Sequence, residues 1–333
     1  MTAWPIYRGV AEPHDGVDQL PEPPNWRRFD GAPVLSVPGG AGDPTAARRL
    51  GRAEHRRKPS EREVQMVNAA LFLRRPLLVT GRPGTGKSTL AYLVAEELGL
   101  GPVLRWPITS RTTLKDGLYR YDPIGRLRDE NLRNARNQSA TGDRDIGKHL
   151  RLGPLGTALL PFGRPRVLLV DEIDKSDVDL PNDLLNVFEE GEFEIDELAR
   201  LSEEDEHVPV RTADGGDPVE VRRGRVRCRA FPFVVLTSNG ERDFPTAFLR
   251  RCLRLDLEPP EPDQIDAIIA AHLGPEATAV ARRHIEDFLA RRDQVELTTD
   301  QLLNAVYIAM SGGDVDSMDD VVQALLKPLS GTG

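Results

Sequence analysis

Short apolar runs, bounded by glycine and polar residues, recur between residues 76 and 257 of the chain. Those with the length of strands are the start of 76–90, then 103–108, 167–170, 233–237 and 253–257. The run at 167–170 is continuously apolar, as expected for a central parallel strand. Before the first run, Ser60 and Glu63 form a capping-box pattern at the start of a helical apolar period. The alternation predicts an α/β fold with a parallel sheet flanked by helices.

The pattern changes at residues 259–262, which read Pro-Pro-Glu-Pro and predict a domain boundary. Beyond them the periodicity is purely helical, over 263–273, 275–292, 299–310 and 318–326. Helices joined by short loops pack as a small bundle. The sequence therefore predicts a core over residues 60–258 and a C-terminal all-α domain over 259–333.

Residues 1–59 differ from the rest because prolines and glycines interrupt every helical or strand period. Two interpretations of this N-terminal extension remain open. It is a docked arm whose aromatic anchors are Trp4, Tyr7, Trp26 and Phe29, or it is a disordered tail. The basic run at 48–58, RRLGRAEHRRK, is expected to be a solvated face or a linker.

Two segments of the predicted core do not fit a simple strand–helix alternation. Residues 110–160 are polar and interrupted, and they are longer than a normal crossover, which predicts an insertion. Residues 192–230 predict a strand at 192–198, an acidic loop at 202–206 and a hairpin over 219–230 that turns near Arg223 and Gly224.

The second arm of that hairpin places arginines on one face: Arg225, Arg227 and Arg229. Such a row is typical either of a surface that grips a substrate or nucleic acid, or of an ordinary solvated strand face. We favour the solvated face, because long basic side chains commonly pack their stems on a sheet while their charges stay in water.

The composition argues against a membrane protein, a secreted protein and a general nucleic-acid-binding protein. The chain has 333 residues, a net charge of −9 and two cysteines, Cys228 and Cys252. No apolar run approaches the ~20 residues needed to cross a bilayer, and the first ten residues do not resemble a signal peptide. We therefore expect reduced thiols and a cytoplasmic protein without membrane contact. The negative charge argues against wholesale nucleic-acid binding, although it leaves room for a local basic groove.

Residues 81–88 read G-x-x-x-x-G-K-S between the first predicted strand and a helix, which is the P-loop pattern in its expected context. Gly84 and Gly86 can adopt backbone angles closed to other residues, so successive N–H groups can point at phosphate oxygens. Lys87 is expected at the β- and γ-phosphates and Ser88 at Mg2+. The predicted nucleotide-binding residues are Gly81, Arg82, Pro83, Gly84, Thr85, Gly86, Lys87, Ser88 and Thr89.

Acidic and polar residues follow two other predicted strands at the edge where ligands bind in open α/β sheets. Asp171 and Glu172 end the strand at 167–170, and Asn239 follows the strand at 233–237. We predict that Asp171 helps to hold Mg2+ and that Glu172 orients or deprotonates the attacking water. Asn239 is placed to touch the γ-phosphate or the water, or it simply forms a turn.

The order of these motifs resembles an AAA+ ATPase, and more narrowly the MoxR branch of the clade with an insert in helix two and a hairpin before sensor 1. The stretches that carry the narrower likeness are TSRTT at 109–113, LYRYD at 118–122, RLGPLGTALL at 151–160, residues 171–195 and residues 236–252. The resemblance covers about residues 60–330 and leaves the N-terminal extension unaccounted for.

The resemblance implies a P-loop NTPase core, an α-helical lid, and a ring, usually a hexamer, with ATP at subunit boundaries. It assigns Asn239 as sensor 1 and Arg251, with Arg250 as the close second, as the arginine finger that acts on the neighbouring subunit. Two positions depart from the family: Gln301 stands about where a sensor 2 arginine is common, and Cys252 stands where Phe is usual. The first departure puts a lid contact with the γ-phosphate in doubt.

Three functions follow. The first is an ATP- and Mg2+-dependent motor that remodels a protein partner, such as a von Willebrand A-domain protein. The second is a nucleic-acid-stimulated motor like the GTP-driven restriction relatives, which the net charge makes unlikely. The third is a slow nucleotide-dependent scaffold or switch. ATP rather than GTP comes from the resemblance, since a P-loop binds phosphates and not the base.

Overall fold

The computed structural model describes residues 4–39, 43–135, 143–201, 206–278 and 298–310, together with Arg282, Ile285 and Phe288. Their strands are β1 (Leu77–Gly81), β2 (Leu104–Pro107), β3 (Tyr119–Tyr121), β4 (Leu150–Leu152), β5 (Val167–Asp171), β6 (Glu192–Glu194), β7 (His207–Val210), β8 (Val219–Arg222), β9 (Arg225–Arg227), β10 (Phe233–Ser238) and β11 (Leu253–Leu257). Their α-helices are α1 (Pro44–Leu50), α2 (Glu61–Leu73), α3 (Lys87–Glu97), α4 (Leu114–Leu118), α5 (Pro123–Ala135), α6 (Pro154–Ala158), α7 (Leu180–Glu190), α8 (Asp196–Ala199), α9 (Thr246–Arg251), α10 (Pro262–Leu273) and α11 (Thr299–Met310).

A five-stranded parallel sheet in the order β11-β1-β10-β5-β2 forms the centre of the fold. All five strands predicted from the apolar runs are present. Strand β5 is buried along its whole length, because helices cover both faces of the sheet. Leu78, Leu168 and Val170 belong to one buried cluster, and Leu77 and Leu169 belong to another. This arrangement confirms the predicted α/β class.

The helix before β1 begins where the sequence predicts. The Ser60 hydroxyl accepts a hydrogen bond from the Glu63 backbone N–H (3.2 Å), and a Glu63 carboxylate oxygen accepts one from the Ser60 backbone N–H (2.7 Å). This capping box satisfies two N–H groups that a helix start otherwise leaves unpaired. Helix α2 therefore has a defined start, and it ends shortly before β1.

The two irregular segments form small sheets of their own. β3 pairs with β4, and β6, β9, β8 and β7 form a four-stranded antiparallel sheet. The predicted hairpin is confirmed, with a turn at Arg223 and Gly224 between β8 and β9. The strand predicted over 192–198 is wrong in length, since β6 ends at Glu194 and α8 follows it. Helix α5 lies in the segment where the polar pattern predicted only an insertion; of the acidic loop, 202–205 lie outside the described residues.

Two of the three arginines in the hairpin row, Arg225 and Arg227, are paired with acids from the same chain. Arg225 bonds both carboxylate oxygens of Glu192 through NH2, each at 2.8 Å, and Arg227 pairs with Asp30 at 2.9 Å. Val226, between them, is buried. These exposed ion pairs agree with the favoured interpretation of a solvated strand face.

Two helices of the predicted C-terminal bundle lie within the described residues, α10 and α11. They pack through a small apolar cluster of their own that includes Ile265, Ile269, Leu302 and Val306. Of the other two predicted helices, most of 275–292 and all of 318–326 lie outside the described residues. The boundary at 259–262 precedes α10 directly.

The N-terminal extension is docked on the core, which contradicts the alternative of a disordered tail for its described residues. Tyr7 is completely buried, and Asn68 of α2 accepts hydrogen bonds from the backbone N–H groups of Ile6 (2.7 Å) and Tyr7 (3.0 Å). Glu97 at the end of α3 accepts the N–H groups of Arg8 (2.6 Å) and Val10 (2.8 Å). The arm is therefore fixed by backbone hydrogen bonds to two helices that flank the P-loop strand.

One of the four predicted aromatic anchors is wrong. Trp26 is 81% exposed. Its neighbour Arg27 is the anchor instead: this buried guanidinium donates to the Phe188 carbonyl at 2.6 Å and lies over the Phe231 ring, which also stacks on Phe29. Trp4 is half exposed and meets only the edge of Phe72. The presence of an aromatic residue in this proline-rich segment therefore did not by itself predict which side chain is buried.

Both cysteines are buried free thiols, as predicted. Burial raises the pKa of Cys228 and of Cys252 to about 12, so both stay protonated near neutral pH. No helix in the described ranges is long and apolar enough to cross a membrane.

Candidate functional site

The loop between β1 and α3 has the conformation that its glycines predict. Gly81, Gly84 and Gly86 have φ of 145°, 78° and 86°, a region that favours glycine. A Cβ at Gly84 would also meet the Cβ of Thr298 at 2.9 Å. The loop ends at the N-terminus of α3, which carries the positive end of the helix dipole. The loop therefore has the form of an anion-binding cradle, and a larger side chain at Gly84 would collide with Thr298.

Lys87 lies across this loop. Its ammonium donates to the carbonyls of Gly81 (2.8 Å) and Arg82 (2.9 Å). Burial lowers the pKa of Lys87, and the carboxylates of Asp174 and Asp171 oppose that shift without cancelling it. The Lys87 ammonium therefore lies at the loop in a largely buried position, where its attraction for an anion is stronger than in water.

Asp171, at the end of β5, is the most connected carboxylate of the site. One oxygen accepts the hydroxyls of Ser88 (2.6 Å) and Thr237 (2.9 Å), and the other accepts two guanidinium N–H groups of Arg105 (3.0 and 2.7 Å). Burial raises the pKa of Asp171, but these hydrogen bonds outweigh burial, so the pKa lies below its usual value. Asp171 is therefore ionised at neutral pH.

Glu172 follows in a left-handed conformation with φ of 63°, which is uncommon for a residue with a side chain. Its backbone N–H donates to the Thr237 hydroxyl at 2.8 Å, and its half-exposed carboxylate pairs with Lys175 at 2.9 Å. Backbone strain of this kind persists where the surroundings fix it. Here the Thr237 hydroxyl bonds both the Asp171 carboxylate and the Glu172 backbone N–H, so it fixes the backbone from which the Glu172 side chain projects.

Asn239 is held at the same edge by a residue that the sequence analysis missed. Buried Asp174 accepts the backbone N–H groups of Asn239 (2.8 Å) and Glu241 (3.1 Å) on one oxygen. The signal was present, since the DEID stretch places Asp174 one turn beyond Asp171. Asp174 fixes the backbone of the tip after β10 and leaves the Asn239 side chain to line the cavity.

These residues share one cavity of about 690 Å3, a size typical of small-molecule sites. The P-loop, the ends of β5 and β10, and Arg105 form one wall. The lid forms another, and its lining residues are Ile268, Ala271, His272, Thr299, Asp300 and Leu303. The predicted residues Gly81 and Arg82 do not line the cavity directly, but their carbonyls bind the Lys87 ammonium.

The N-terminal extension lines the same cavity, which corrects the interpretation of the basic run as a solvated face or linker. Arg57 binds Glu63 through two nitrogens (3.0 and 2.6 Å), and Arg56 binds Glu96 (3.0 Å). Arg48 and Arg49 make no ion pair within the part of the chain that the structure describes. The Arg49 guanidinium lies over the Tyr92 ring, and its Nε is buried with no hydrogen-bond partner.

The lid reaches the P-loop through Thr299, whose hydroxyl donates to the Gly84 carbonyl at 2.8 Å. Gln301, which stands about where a sensor 2 arginine was expected, caps its own helix: its side-chain oxygen accepts the Thr298 N–H at 2.9 Å. Gln301 is not among the residues that line the cavity. Burial lowers the pKa of nearby His272, and Asp300 opposes that shift.

The predicted arginine pair does not join the cavity of its own chain. Arg251, at the end of α9, pairs with Glu189, and Arg75 donates to the backbone carbonyls of Arg251 (3.0 Å) and Arg250. Neither arginine lines the cavity. The structure thus brings together the P-loop, Asp171, Glu172 and Asn239, and places Arg250 and Arg251 elsewhere on the surface.

Residues 76–252 match the family model of the AAA domain, dynein-related subfamily. The match covers more than half of the chain. The chain belongs to this AAA domain family. The P-loop NTPase fold predicted from the sequence is thereby confirmed. The AAA match begins just before β1 and ends just after α9, so it includes every predicted site residue, whereas the N-terminal extension and the lid lie outside it. A comparison with curated proteins gave no match.

The residues at the AAA site fit a magnesium nucleotide. The Ser88 hydroxyl and the Asp171 carboxylate are hard oxygen donors that lie 2.6 Å apart, and Mg2+ is usually held by one or two such groups plus phosphates and water. No group of three or more His, Cys, Asp or Glu side chains in the described ranges could hold a metal by itself. The glycine cradle faces the same cavity as Lys87, and Arg48 and Arg49 bring further positive charge to its lining.

Proposed function

We propose that this AAA domain protein is a MoxR-like ATPase that hydrolyses ATP to ADP and phosphate in order to remodel or mature a protein partner. The observation that carries the hydrolytic part is the cluster of Ser88, Asp171, Thr237 and Glu172 beside the P-loop cradle. A site built only to hold phosphate does not need a second carboxylate fixed next to the first.

Each residue has a role that its position supports. The P-loop N–H groups and the Lys87 ammonium bind the phosphates, while Ser88 and Asp171 would hold Mg2+, which neutralises charge on the phosphates when bound. Glu172 orients the attacking water and accepts its proton, and the ion pair with Lys175 directs the Glu172 carboxylate. The Asn239 side chain positions the water or the terminal phosphate.

The arginine fingers complete the site from a neighbouring subunit. AAA+ domains commonly form rings, and Arg251 and Arg250 lie outside the cavity of their own chain. An arginine that stabilises the transferred phosphoryl group is worth about 10^3 to 10^5 in rate in GTPases. We infer a ring, with six subunits as in the MoxR relatives, in which the Arg251–Glu189 pair opens when Arg251 reaches the adjacent nucleotide.

A protein partner is favoured over nucleic acid. Arg225 and Arg227, the best candidates for a nucleic-acid surface, are neutralised by Glu192 and Asp30, and the net charge is −9. The small sheets made by residues 110–160 and 192–230 stand outside the central sheet, where they can engage a polypeptide such as a von Willebrand A-domain protein. We place this reaction in the cytoplasm. The second candidate function is a slow nucleotide-dependent scaffold or switch, because Gln301 is not among the residues that line the cavity.

Turnover by purified protein tests the hydrolytic claim. We expect the wild type to release phosphate from ATP in the presence of Mg2+ and to prefer ATP to GTP in competition. Glu172→Gln should bind ATP but lose at least about 100-fold in turnover, the usual contribution of a positioned base. Lys87→Ala should lose nucleotide binding itself. Turnover by Glu172→Gln equal to the wild type would remove Glu172 from the reaction and favour the switch.

A further inference from the structure

Arg105 is the one guanidinium in the described part of the cavity that is bound to a proposed magnesium-binding group. It lies on β2, at the edge of the central sheet, where Leu104 and Trp106 are buried and Arg105 is exposed. Its Cα pairs with that of Leu169, two residues before Asp171. The side chain is 42% exposed and lines the nucleotide cavity.

The hydrogen bonds to Asp171 leave no room for a further ligand. One carboxylate oxygen accepts both the Nε (3.0 Å) and NH2 (2.7 Å) groups of Arg105, and the other accepts the hydroxyls of Ser88 and Thr237. A carboxylate offers about four acceptor directions, so all of them are used. Any metal shell that includes Asp171 must displace one of these donors.

Arg105 is the donor that a divalent cation displaces most readily. Two positive groups on the same carboxylate oxygen repel each other, whereas the hydroxyls of Ser88 and Thr237 are neutral and carry no such penalty. Arg105 is also the most exposed of the three partners, because Thr237 is buried and Ser88 is only partly exposed. A guanidinium on an exposed strand position can move into the cavity without disturbing the core.

We propose that Arg105 is a magnesium-exchanged positioning residue: it neutralises Asp171 in the metal-free site and gives up that carboxylate when a magnesium nucleoside triphosphate binds. The inference rests on the proposed function, since it assigns Mg2+ to Asp171. Arg105 thereby raises the Mg2+ concentration that nucleotide binding needs, and it keeps Asp171 directed at Ser88 until the metal arrives. Its freed guanidinium stays in the same cavity as the phosphates.

The test measures metal-dependent nucleotide binding and not turnover. A fluorescent ATP analogue is titrated into the protein at fixed Mg2+ concentrations, and the Mg2+ concentration at half-maximal binding is determined. Arg105→Gln should lower this midpoint about three- to tenfold, because an ion pair of this exposure no longer competes with the metal. Binding of Mn2+ in the presence of ADP, followed by electron paramagnetic resonance, should tighten by a similar factor.

Two further variants separate competition from simple support of Asp171. Arg105→Lys keeps the charge and should return the midpoint toward that of the wild type. Arg254→Gln removes an exposed arginine from β11, the opposite edge strand of the same sheet, and should leave the midpoint unchanged. Thermal unfolding of each variant establishes that it is folded under the conditions of the titration.

An unchanged or raised midpoint in folded Arg105→Gln would overturn the proposal, since Arg105 would then only support Asp171. A wild-type protein that binds no nucleotide at any Mg2+ concentration would instead contradict the proposed function itself. The two failures are therefore distinct: one concerns the shift between variants, and the other concerns binding by the unaltered chain.

Discussion

At the scale of single residues, one buried ion pair ties the inserted sheet to the core. Arg166 is completely buried and lies 2.9 Å from the Asp214 carboxylate, in the loop between β7 and β8. A second nitrogen of Arg166 donates to the Pro102 carbonyl at 3.0 Å, beside β2. Because buried charges are tolerated only when paired, each member of this pair depends on the other.

Asp214→Asn should lower the free energy of unfolding by about 3 to 5 kcal/mol near neutral pH, because it leaves the Arg166 charge buried without its partner. Burial raises the pKa of Asp214, but the Thr212 hydroxyl and Arg166 outweigh it, so the folded-state pKa lies below 3.8. The stabilisation is therefore present above about pH 4 and is lost as the pH falls through the lower folded pKa.

Urea unfolding between pH 3 and 7 checks this prediction, with the exposed Asp217→Asn in the same loop as the control. The wild type should lose its advantage over Asp214→Asn as the pH falls, whereas Asp217→Asn should follow the wild type throughout. Equal stability of Asp214→Asn and the wild type at pH 7 would show that the pair contributes nothing net.

Site residues that belong to a contiguous motif could be predicted from the sequence, whereas contacts between distant segments could not. The P-loop, Asp171 and Glu172 were predicted because each motif is contiguous and follows an apolar strand. The partnership of Arg105 with Asp171 was not predicted, since a lone arginine in an alternating strand has no local signature. The prediction for Arg48 and Arg49 was wrong for the same reason. A run of basic residues shows only where charge lies in the sequence, and the docking of the arm is what brings these two arginines beside the P-loop.

At the scale of elements, the N-terminal arm depends on two polar side chains that bind its backbone. The Asn68 amide accepts the N–H groups of Ile6 and Tyr7 and donates to the carbonyls of Tyr7 and Val64, the latter two at 2.7 Å. The three bonds to Ile6 and Tyr7 are buried, so no solvent replaces one of them when it is lost. A proline-rich segment has no helical or strand periodicity, so the sequence alone could not decide between a docked arm and a disordered tail.

Asn68→Ala should lower the free energy of unfolding by about 2 to 4 kcal/mol, because it leaves backbone groups of the arm buried and unpaired. It should also make the arm sensitive to limited proteolysis before the core unfolds. Gln65→Ala, at an exposed position of the same helix whose amide contacts only Glu61, is the matched control. Protection of the arm in Asn68→Ala equal to that in Gln65→Ala would contradict this account.

Helix α1 brings two arginines of the arm to the cavity. Arg48 and Arg49 line the cavity without an ion pair to any described acid, so their charges are available to a polyphosphate. Replacing both with glutamine should weaken the binding of a fluorescent ATP analogue about tenfold and reduce its dependence on salt. Arg62→Gln, on the outer surface of α2, should change neither quantity. Equal affinities of the double variant and the wild type would separate the arm from the nucleotide.

At the scale of the whole molecule, the residues proposed for hydrolysis lie in two separate places. The P-loop, Asp171, Glu172 and Asn239 line one cavity, while Arg250 and Arg251 lie on α9, where Glu189 and Arg75 hold them. Under the proposed function, such a chain completes its site by contact with another copy. The sequence predicted this division through its resemblance to ring-forming proteins, and the positions of the arginines outside the cavity are consistent with it.

The molar mass of Glu172→Gln in solution, with and without Mg-ATP, tests this central claim most directly, because the variant should retain ATP without hydrolysing it. The account predicts a shift from small species to a ring of about six subunits when Mg-ATP is added. Adding Arg251→Ala to the same variant should weaken that shift while nucleotide binding persists. A protein that binds Mg-ATP and remains a monomer at every concentration would contradict a site shared between subunits.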